Sequence, residues 1–318
     1  MDTNEGNAFP APLLRSWRDL HEYRTRLEQG GYARPSGWVQ SIQIQEHYLF
    51  RPGVMQLSRG NLLIGENGVG KTHLLQLLRG MTTPRPLMDG HRNLSCTISW
   101  FDPDLRTAKI GVTGKALEYQ VDGKRVHLPP RPYRVLDISP HRPRPHSHGI
   151  GSLAEFLGVD EWTAGSVAST LPEVMPAVFS RVSVAGENLK VEYCEGNGEE
   201  SSFRWMMLPF RALAAFAELQ AQSEPTVLIL DEPFDHLYFR AVMEVMRIFD
   251  SPSWSFQTII STHSPAAFEW SQRGWTATVL LRDESLTSRI SQDPLELENI
   301  RENYRRAAAA HQARVAPR

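Results

Sequence analysis

The sequence predicts an α/β fold built on buried parallel strands. Three stretches carry that prediction. The first is Gly65-Glu66-Asn67-Gly68-Val69-Gly70-Lys71-Thr72, entered from the apolar run Asn61-Leu62-Leu63-Ile64 and left through the helical pattern His73-Leu74-Leu75-Gln76-Leu77-Leu78. It fits G-x-x-x-x-G-K-[ST] at every fixed position, in a strand–loop–helix context. The second is Thr226 to Leu230, an apolar run ending in Asp231-Glu232-Pro233. The third is Thr258 to Thr262, a short apolar run ending in His263. Continuous apolar runs of this kind read as parallel strands buried on both faces. The interval from Asp231 to His263, with one helix at about 235–250, has the length of a β-α-β crossover.

The whole chain agrees. Its 318 residues, 41% hydrophobic and 22% charged, support a real core in one large domain or two modest ones. A net charge of −2 implies no global attraction to nucleic acid or membrane. Cys96 and Cys194 are far apart and lack metal spacing, so they read as reduced thiols of a cytoplasmic protein. The polar start Met1-Asp2-Thr3-Asn4-Glu5 is unlike a secretory signal. No apolar run approaches the roughly 20 residues that span a bilayer, so no membrane insertion is expected.

In chain order, Leu13, Leu14, Trp17, Leu20, Tyr23 and Leu27 recur at helical spacing, and Gly30-Gly31 closes that helix. It packs on the domain edge or serves as a docking surface. Trp38 to Gln45 alternates as a half-buried strand, with Val54 to Leu57 as its neighbour. Between them, Tyr48 and Phe50 are core aromatics or platforms for a base. Thr82 to Arg92 reads as a Pro/Gly-rich loop. Short strands follow at 94–100, 109–112, 117–121 and 125–128, with a hairpin turn at Asp122-Gly123. Residues 124–148 are basic and proline-rich, either a solvated connector or a nucleic-acid contact. Tyr133 to Ile138 is a further strand. Helical pattern runs with interruptions from Ser152 to Phe179, a hairpin surrounds Ala185-Gly186-Glu187-Asn188, and Phe210 to Gln222 is amphipathic. Thr276 to Arg282 is the last expected strand, and Leu295 to Ala310 a basic, alanine-rich helix outside the core.

The three stretches meet in one chemistry. Glycines let backbone N–H groups turn onto phosphate oxygens, and a helix N-terminus adds partial positive charge. Gly65, Asn67, Gly68, Gly70, Lys71, Thr72 and His73 are therefore the expected ligand-holding residues, with Lys71 directed to the β- and γ-phosphates. Thr72 and Asp231 are the expected Mg²⁺ ligands. Glu232 is placed to polarise an attacking water, and His263 to meet the γ-phosphate. The ligands implied are a nucleoside triphosphate and Mg²⁺.

Over about 38–282 these pieces resemble the ATP-binding-cassette (ABC) ATPases. The wording of Ile42-Gln43-Ile44, of Leu63 to Gly68 and of Ser261-Thr262-His263-Ser264-Pro265 resembles their RecF/SMC-like and OLD-like branch, the AAA_21 group. The resemblance implies an α/β P-loop NTPase of ABC-ATPase type, a mixed central sheet with an antiparallel β lobe and a helical lobe. It implies that the nucleotide is ATP and that the protein works by ATP-driven dimerisation, each chain offering a signature loop to its partner's γ-phosphate. It divides the chain into an N-terminal helical extension (1–36), an ATPase domain (37–285, with a second lobe at roughly 140–225) and a C-terminal helical tail (286–318). Where the signature is expected, the chain reads Met206-Met207-Leu208-Pro209-Phe210-Arg211, with neither serine nor glycine. Slow or partner-dependent hydrolysis follows, with Arg211 a substitute phosphate contact. Ser139-Pro140-His141 stands where a glutamine is expected, and Phe234 to Tyr238 ends in tyrosine where an acid is usual. Prolines leave no room for coiled-coil arms, and no Toprim-type acidic cluster follows. The implied role is a homodimer or ATP-dependent assembly with a separate effector, in a nucleic-acid-related or antiphage-defence setting, with nucleic acid a possible partner. The alternatives are the ATPase subunit of a membrane transporter and a non-hydrolysing ATP-gated scaffold.

Overall fold

The computed structural model describes residues 37–138, 179–185, 188–193, 225–233, 239–250, 256–263 and 273–315, with a few single residues between. The expected helices at 13–29, 152–179 and 210–222, the Met206–Arg211 segment, Ser139 to His141 and Phe234 to Tyr238 lie wholly or almost wholly outside them. Contacts divide the chain into two units. One holds 34–137, 225–232 and 256–318, and it contains both large sheets. In the other, the described residues form an antiparallel hairpin, β9 (Phe179–Ala185) with β10 (Asn188–Tyr193), and the helix α3 (Phe239–Asp250).

The first sheet has the order β2-β1-β4-β5-β6-β7 and is antiparallel throughout. Its strands are β1 (Val39–His47), β2 (Gly53–Gln56), β4 (Asn93–Asp102), β5 (Asp104–Thr113), β6 (Ala116–Val121) and β7 (Lys124–Val126). Ile42 and Ile44 bury one face of β1, as its alternation predicts, and a register shift between Val39 and Ser41 accompanies the burial of Val39 as well. The β6–β7 turn uses Asp122 at φ 47° and Gly123 at φ 79°, the left-handed pair that two-residue hairpins favour.

The second sheet has the order β14-β13-β3-β12-β11-β8. Its members are β3 (Gly60–Ile64), β8 (Arg134–Ile138), β11 (Thr226–Asp231), β12 (Gln257–Thr262), β13 (Thr276–Arg282) and β14 (Ser288–Ser291). The neighbours β13, β3, β12 and β11 run parallel, whereas β14 is antiparallel to β13. Every residue of β11 and β12 is buried, as in strands covered on both faces, although β12 buries Gln257, Thr258, Ser261 and Thr262 beside its two isoleucines.

Helix α1 (Lys71–Gly80) buries Leu74, Leu75, Leu77 and Leu78 in a core shared with both sheets. The hydroxyls of Tyr119 and Tyr133 donate to the carbonyls of Gly80 and Leu78 near its C-terminus, at 2.8 and 3.1 Å. The buried Gln257 side chain links the sheets. Its Oε1 accepts from Val39 N at 2.9 Å, and its Nε2 donates to the carbonyls of Val39 and Ser58 at 2.7 and 2.8 Å.

Three expectations change. Part of the loop expected at 82–92 is a short helix, α2 (Arg85–Gly90). Pro86 stands in its first turn, where the missing N–H costs no hydrogen bond. Leu87 of this helix packs against Gly80 so closely that a Cβ there would lie 2.4 Å from its Cδ1. Second, β14 follows β13, so Thr276 to Arg282 is not the last strand. Third, the terminal helix α4 (Pro294–Val315) is longer than expected. It is held to β14 at its start, where Arg289 meets Glu296 through both guanidinium NH groups.

Candidate nucleotide site

The strand ends build the site. Register pairs Thr262 of β12 with Ile64 of β3, and Asp231 of β11 with Ser261 of β12. Gly65, Glu232 and His263 therefore leave the sheet at one edge, where ligands collect in parallel sheets. Gly65 N donates to Thr262 O at 3.4 Å, and Glu232 N to Ser261 O at 3.0 Å.

The loop needs its glycines for distinct reasons. Gly68 and Gly70 have φ of 77° and 105°, the left-handed region that side chains disfavour. Gly70 also has no room, since a Cβ there would lie 2.6 Å from the Phe50 ring. At Gly65 a Cβ would lie 2.8 Å from Val69 Cγ1. The head of α1 carries neither an acid in its first turn nor a side-chain cap, so its electrostatics suit an anion.

Lys71 is only 6% exposed. Its ammonium donates to the carbonyls of Gly65 and Glu66, at 2.7 and 3.0 Å, and pairs with Glu232 Oε1 at 2.8 Å. Thr72 Oγ1 donates to Asp231 Oδ2 at 2.9 Å. Ser261 Oγ donates to the other oxygen, Oδ1, in a very short hydrogen bond. The same Ser261 oxygen accepts from Glu232 N at 3.1 Å. Glu232 Oε2 accepts from His263 N at 3.1 Å and lies 3.1 Å from His263 Nδ1. Glu232 itself sits at φ 50°, a strained backbone for a non-glycine residue at a strand end.

Lys71, Thr72, Asp231, Glu232 and His263 thus form one connected network. The Thr72 hydroxyl and the Asp231 carboxylate, paired side by side, are the hard oxygen donors that suit Mg²⁺. Among the described residues no three His, Cys, Asp or Glu side chains converge on a metal. Mg²⁺ on a nucleotide requires only one or two protein oxygens besides phosphate and water.

The remaining expected residues lie at the margins. Asn67 lines a cavity of about 430 Å³ beside the loop, together with Gly65, Glu66, Leu280, Ile300 and Asn303. The start of α4 thereby reaches the outer flank of the loop. His73 is the third residue of α1, and its Nε2 lies 2.7 Å from Tyr48 Oη. Its ring meets those of His47 and His91 edge-on, with centroids 6.2 and 5.6 Å apart.

Sequence reasoning missed Ser261, His47 and His91. Ser261 meets Asp231 through the register of β11 and β12, which no local spacing announces. The histidines come from separate elements, and no spacing announces their meeting. Burial, then the neighbouring His91 and His73, pushes His47 down to about 3. Burial, then His73, brings His91 down to about 4, and burial lowers His73 as well. Cys96 is a free buried thiol that burial pushes up to about 12.

Residues 210–269 match the family AAA_21, described as "AAA domain, putative AbiEii toxin, Type IV TA system". That segment spans β11 and β12 and so includes Asp231, Glu232 and His263. No curated protein matches the chain. Among solved structures, the SMC head domain from Thermotoga maritima is similar with a TM-score of 0.54 and 13% identity, covering 80% of this chain and 98% of that one. An Smc head domain with an extended coiled coil, bound to the C-terminal domain of ScpA and derived from Pyrococcus furiosus, has a TM-score of 0.52 and 13% identity, covering 84% of this chain and 99% of that one. Among the described residues no helix is long and apolar enough to cross a membrane. The chain shares the fold of the SMC head domains, and residues 210–269 carry the AAA_21 match within it.

Proposed function

We propose that the chain binds ATP and Mg²⁺ on Gly65 to His73 and hydrolyses the γ-phosphate bond, and that ATP-dependent dimerisation or assembly controls a separate effector. The observation that carries this reading is the meeting of Lys71, Thr72, Asp231, Glu232 and His263 at one sheet edge. Lys71 holds the β- and γ-phosphates, and Thr72 and Asp231 hold Mg²⁺, which neutralises charge developing on the phosphates. Glu232 accepts a proton from the attacking water. His263, whose main chain and ring both face Glu232, fixes that carboxylate and reaches the γ-phosphate.

Assembly is supported by the SMC-like fold, since the Pyrococcus head domain is described as bound to a partner protein. A defence setting is supported by the toxin–antitoxin wording of the AAA_21 family, and nucleic-acid control by the sequence resemblance to the RecF/SMC-like branch. Purified wild type, Lys71→Ala and Glu232→Gln test the reading with Mg²⁺-ATP, by calorimetry, phosphate release and molar mass. Wild type should bind and turn over ATP, Lys71→Ala should bind none, and Glu232→Gln should bind without turnover and accumulate the assembled form. Failure of the wild type to bind ATP sinks the reading. Binding without any change in molar mass or co-purifying proteins sinks its assembly part.

A further inference from the structure

Tyr48 is 54% exposed, yet it is held at two points. Its ring stacks on His47, with centroids 4.6 Å apart and planes at 25°. Its hydroxyl lies 2.7 Å from His73 Nε2 and 3.4 Å from Gly90 O. His73 directly follows Lys71-Thr72, so this wall stands at the head of the phosphate-loop helix. Behind it is a relay with fixed polarity. His47 Nδ1 accepts from Leu49 N at 3.0 Å, which leaves the proton on Nε2. That Nε2 donates to His91 Nδ1 at 2.7 Å, in a pair that is almost wholly buried. Three separate pieces of chain, at 47–49, 73 and 90–91, thus combine to hold one exposed aromatic ring in place.

We infer that His47 and His91 are positioning residues for the nucleoside end of the ligand: they lock Tyr48 and His73 into a rigid wall that contacts base and sugar while the loop holds the phosphates. The inference rests on the nucleotide reading above and adds what recognises the rest of the molecule. A ring immobilised before binding loses little freedom on stacking, and every base offers a π-face to it.

The test compares Mg²⁺-ATP with Mg²⁺-tripolyphosphate, which has the phosphates and no nucleoside. In His47→Leu and His91→Leu, ATP affinity should fall about 5- to 30-fold, the lower part of the range for losing one base–aromatic stack. Tripolyphosphate affinity should stay within about twofold, because phosphate binding belongs to Lys71 and the loop. His91→Asn, whose Oδ1 can take the place of Nδ1 as acceptor, should restore most of the ATP preference, which a purely space-filling role would not predict. Tyr48→Phe and Tyr48→Ala alter only an exposed side chain, so the comparison stands even if the buried variants fail to fold. Tyr48→Ala should lose the preference, and Tyr48→Phe should lose part of it. If these variants weaken both ligands alike, or weaken neither, the inference is wrong while the nucleotide reading survives. If the wild type binds neither ligand, both fall together.

Discussion

The ammonium of Lys71 and Oε1 of Glu232 lie 2.8 Å apart, with both side chains largely buried. A nucleotide β-phosphate that takes Lys71 must compete with this carboxylate. Neutralising Glu232 removes both the competition and a like charge near the phosphates. Glu232→Gln should therefore bind ADP about 3- to 30-fold more tightly than wild type, a range set by the net worth of a buried pair. ADP leaves hydrolysis out of the comparison. Hydrolysis of ATP by the same variant should fall by about 10²- to 10⁴-fold, the usual share of a general base. Unchanged or weaker ADP binding argues that Glu232 does not hold Lys71 against phosphate.

Ser261 should matter more than its small side chain suggests. Its hydroxyl donates to Asp231 and accepts from Glu232 N, so one oxygen orients both acids. Ser261→Ala leaves those groups without that partner and should cost about 1–3 kcal/mol of stability. The Mg²⁺ dependence of ATP binding should shift to higher concentration as Asp231 loses its brace. Urea unfolding and a Mg²⁺ titration read these effects separately. A stability within about 0.5 kcal/mol of wild type, the range of an unremarkable surface change, counts against the role.

Two glycines of the loop should respond differently to alanine. Gly68 has positive φ, and nothing lies within 4 Å of where its Cβ would stand, so Gly68→Ala should cost only the backbone term, about 1–2 kcal/mol. Gly70→Ala meets the same backbone penalty and also drives a methyl into Phe50 and Leu49, adding about 1–3 kcal/mol of overpacking. Thermal melting should rank them wild type, Gly68→Ala, Gly70→Ala. Equal melting temperatures for the two variants would show that the Phe50 contact relaxes freely.

Acid should weaken the fold through the histidine relay. His47 and His91 titrate in the folded chain at about 3 and about 4, below the ordinary value of 6.5, and His73, which faces both, is lowered too. Below pH 6.5 the unfolded chain binds protons that the folded chain refuses, so unfolding becomes easier as pH falls. The stabilisation is whole above about pH 6.5 and declines toward pH 4. Urea midpoints at about pH 7.5, 6 and 5 should fall in order, before most carboxylates titrate. In a folded His91→Leu variant the slope should be shallower. A pH-independent midpoint over that window contradicts the buried neutral relay.

The parts of this molecule legible in its sequence are those dictated by local pattern. Strands β3, β11 and β12 show as apolar runs because nearly all their residues are buried, and the phosphate loop shows because its glycines, Lys71 and Thr72 are adjacent in the chain. Strand β14 escaped notice because Ser288-Arg289-Ile290-Ser291 contains a single apolar residue on a sheet edge. Helix α2 was hidden by two prolines that usually mark loops, although a first-turn proline is compatible with a helix. The placement of His47 beside His91, and of Ser261 beside Asp231, depends on how distant parts of the chain come together. Local spacing carries no such information.

The strand order has a further consequence for how the chain is made. β3 carries the phosphate loop, but its neighbours β12 and β13 are synthesised long afterwards, as is β11 with its two acids. A nascent chain that has just completed α1 has its phosphate loop without either flanking strand. Contacts of such large sequence separation form slowly, because a long loop must close before they repay it. Until β12 slots between β3 and β11, both exposed strand edges offer unpaired backbone to other chains. Translation that pauses before Gln257, where β12 begins, should therefore leave this protein at its most aggregation-prone and most dependent on chaperones.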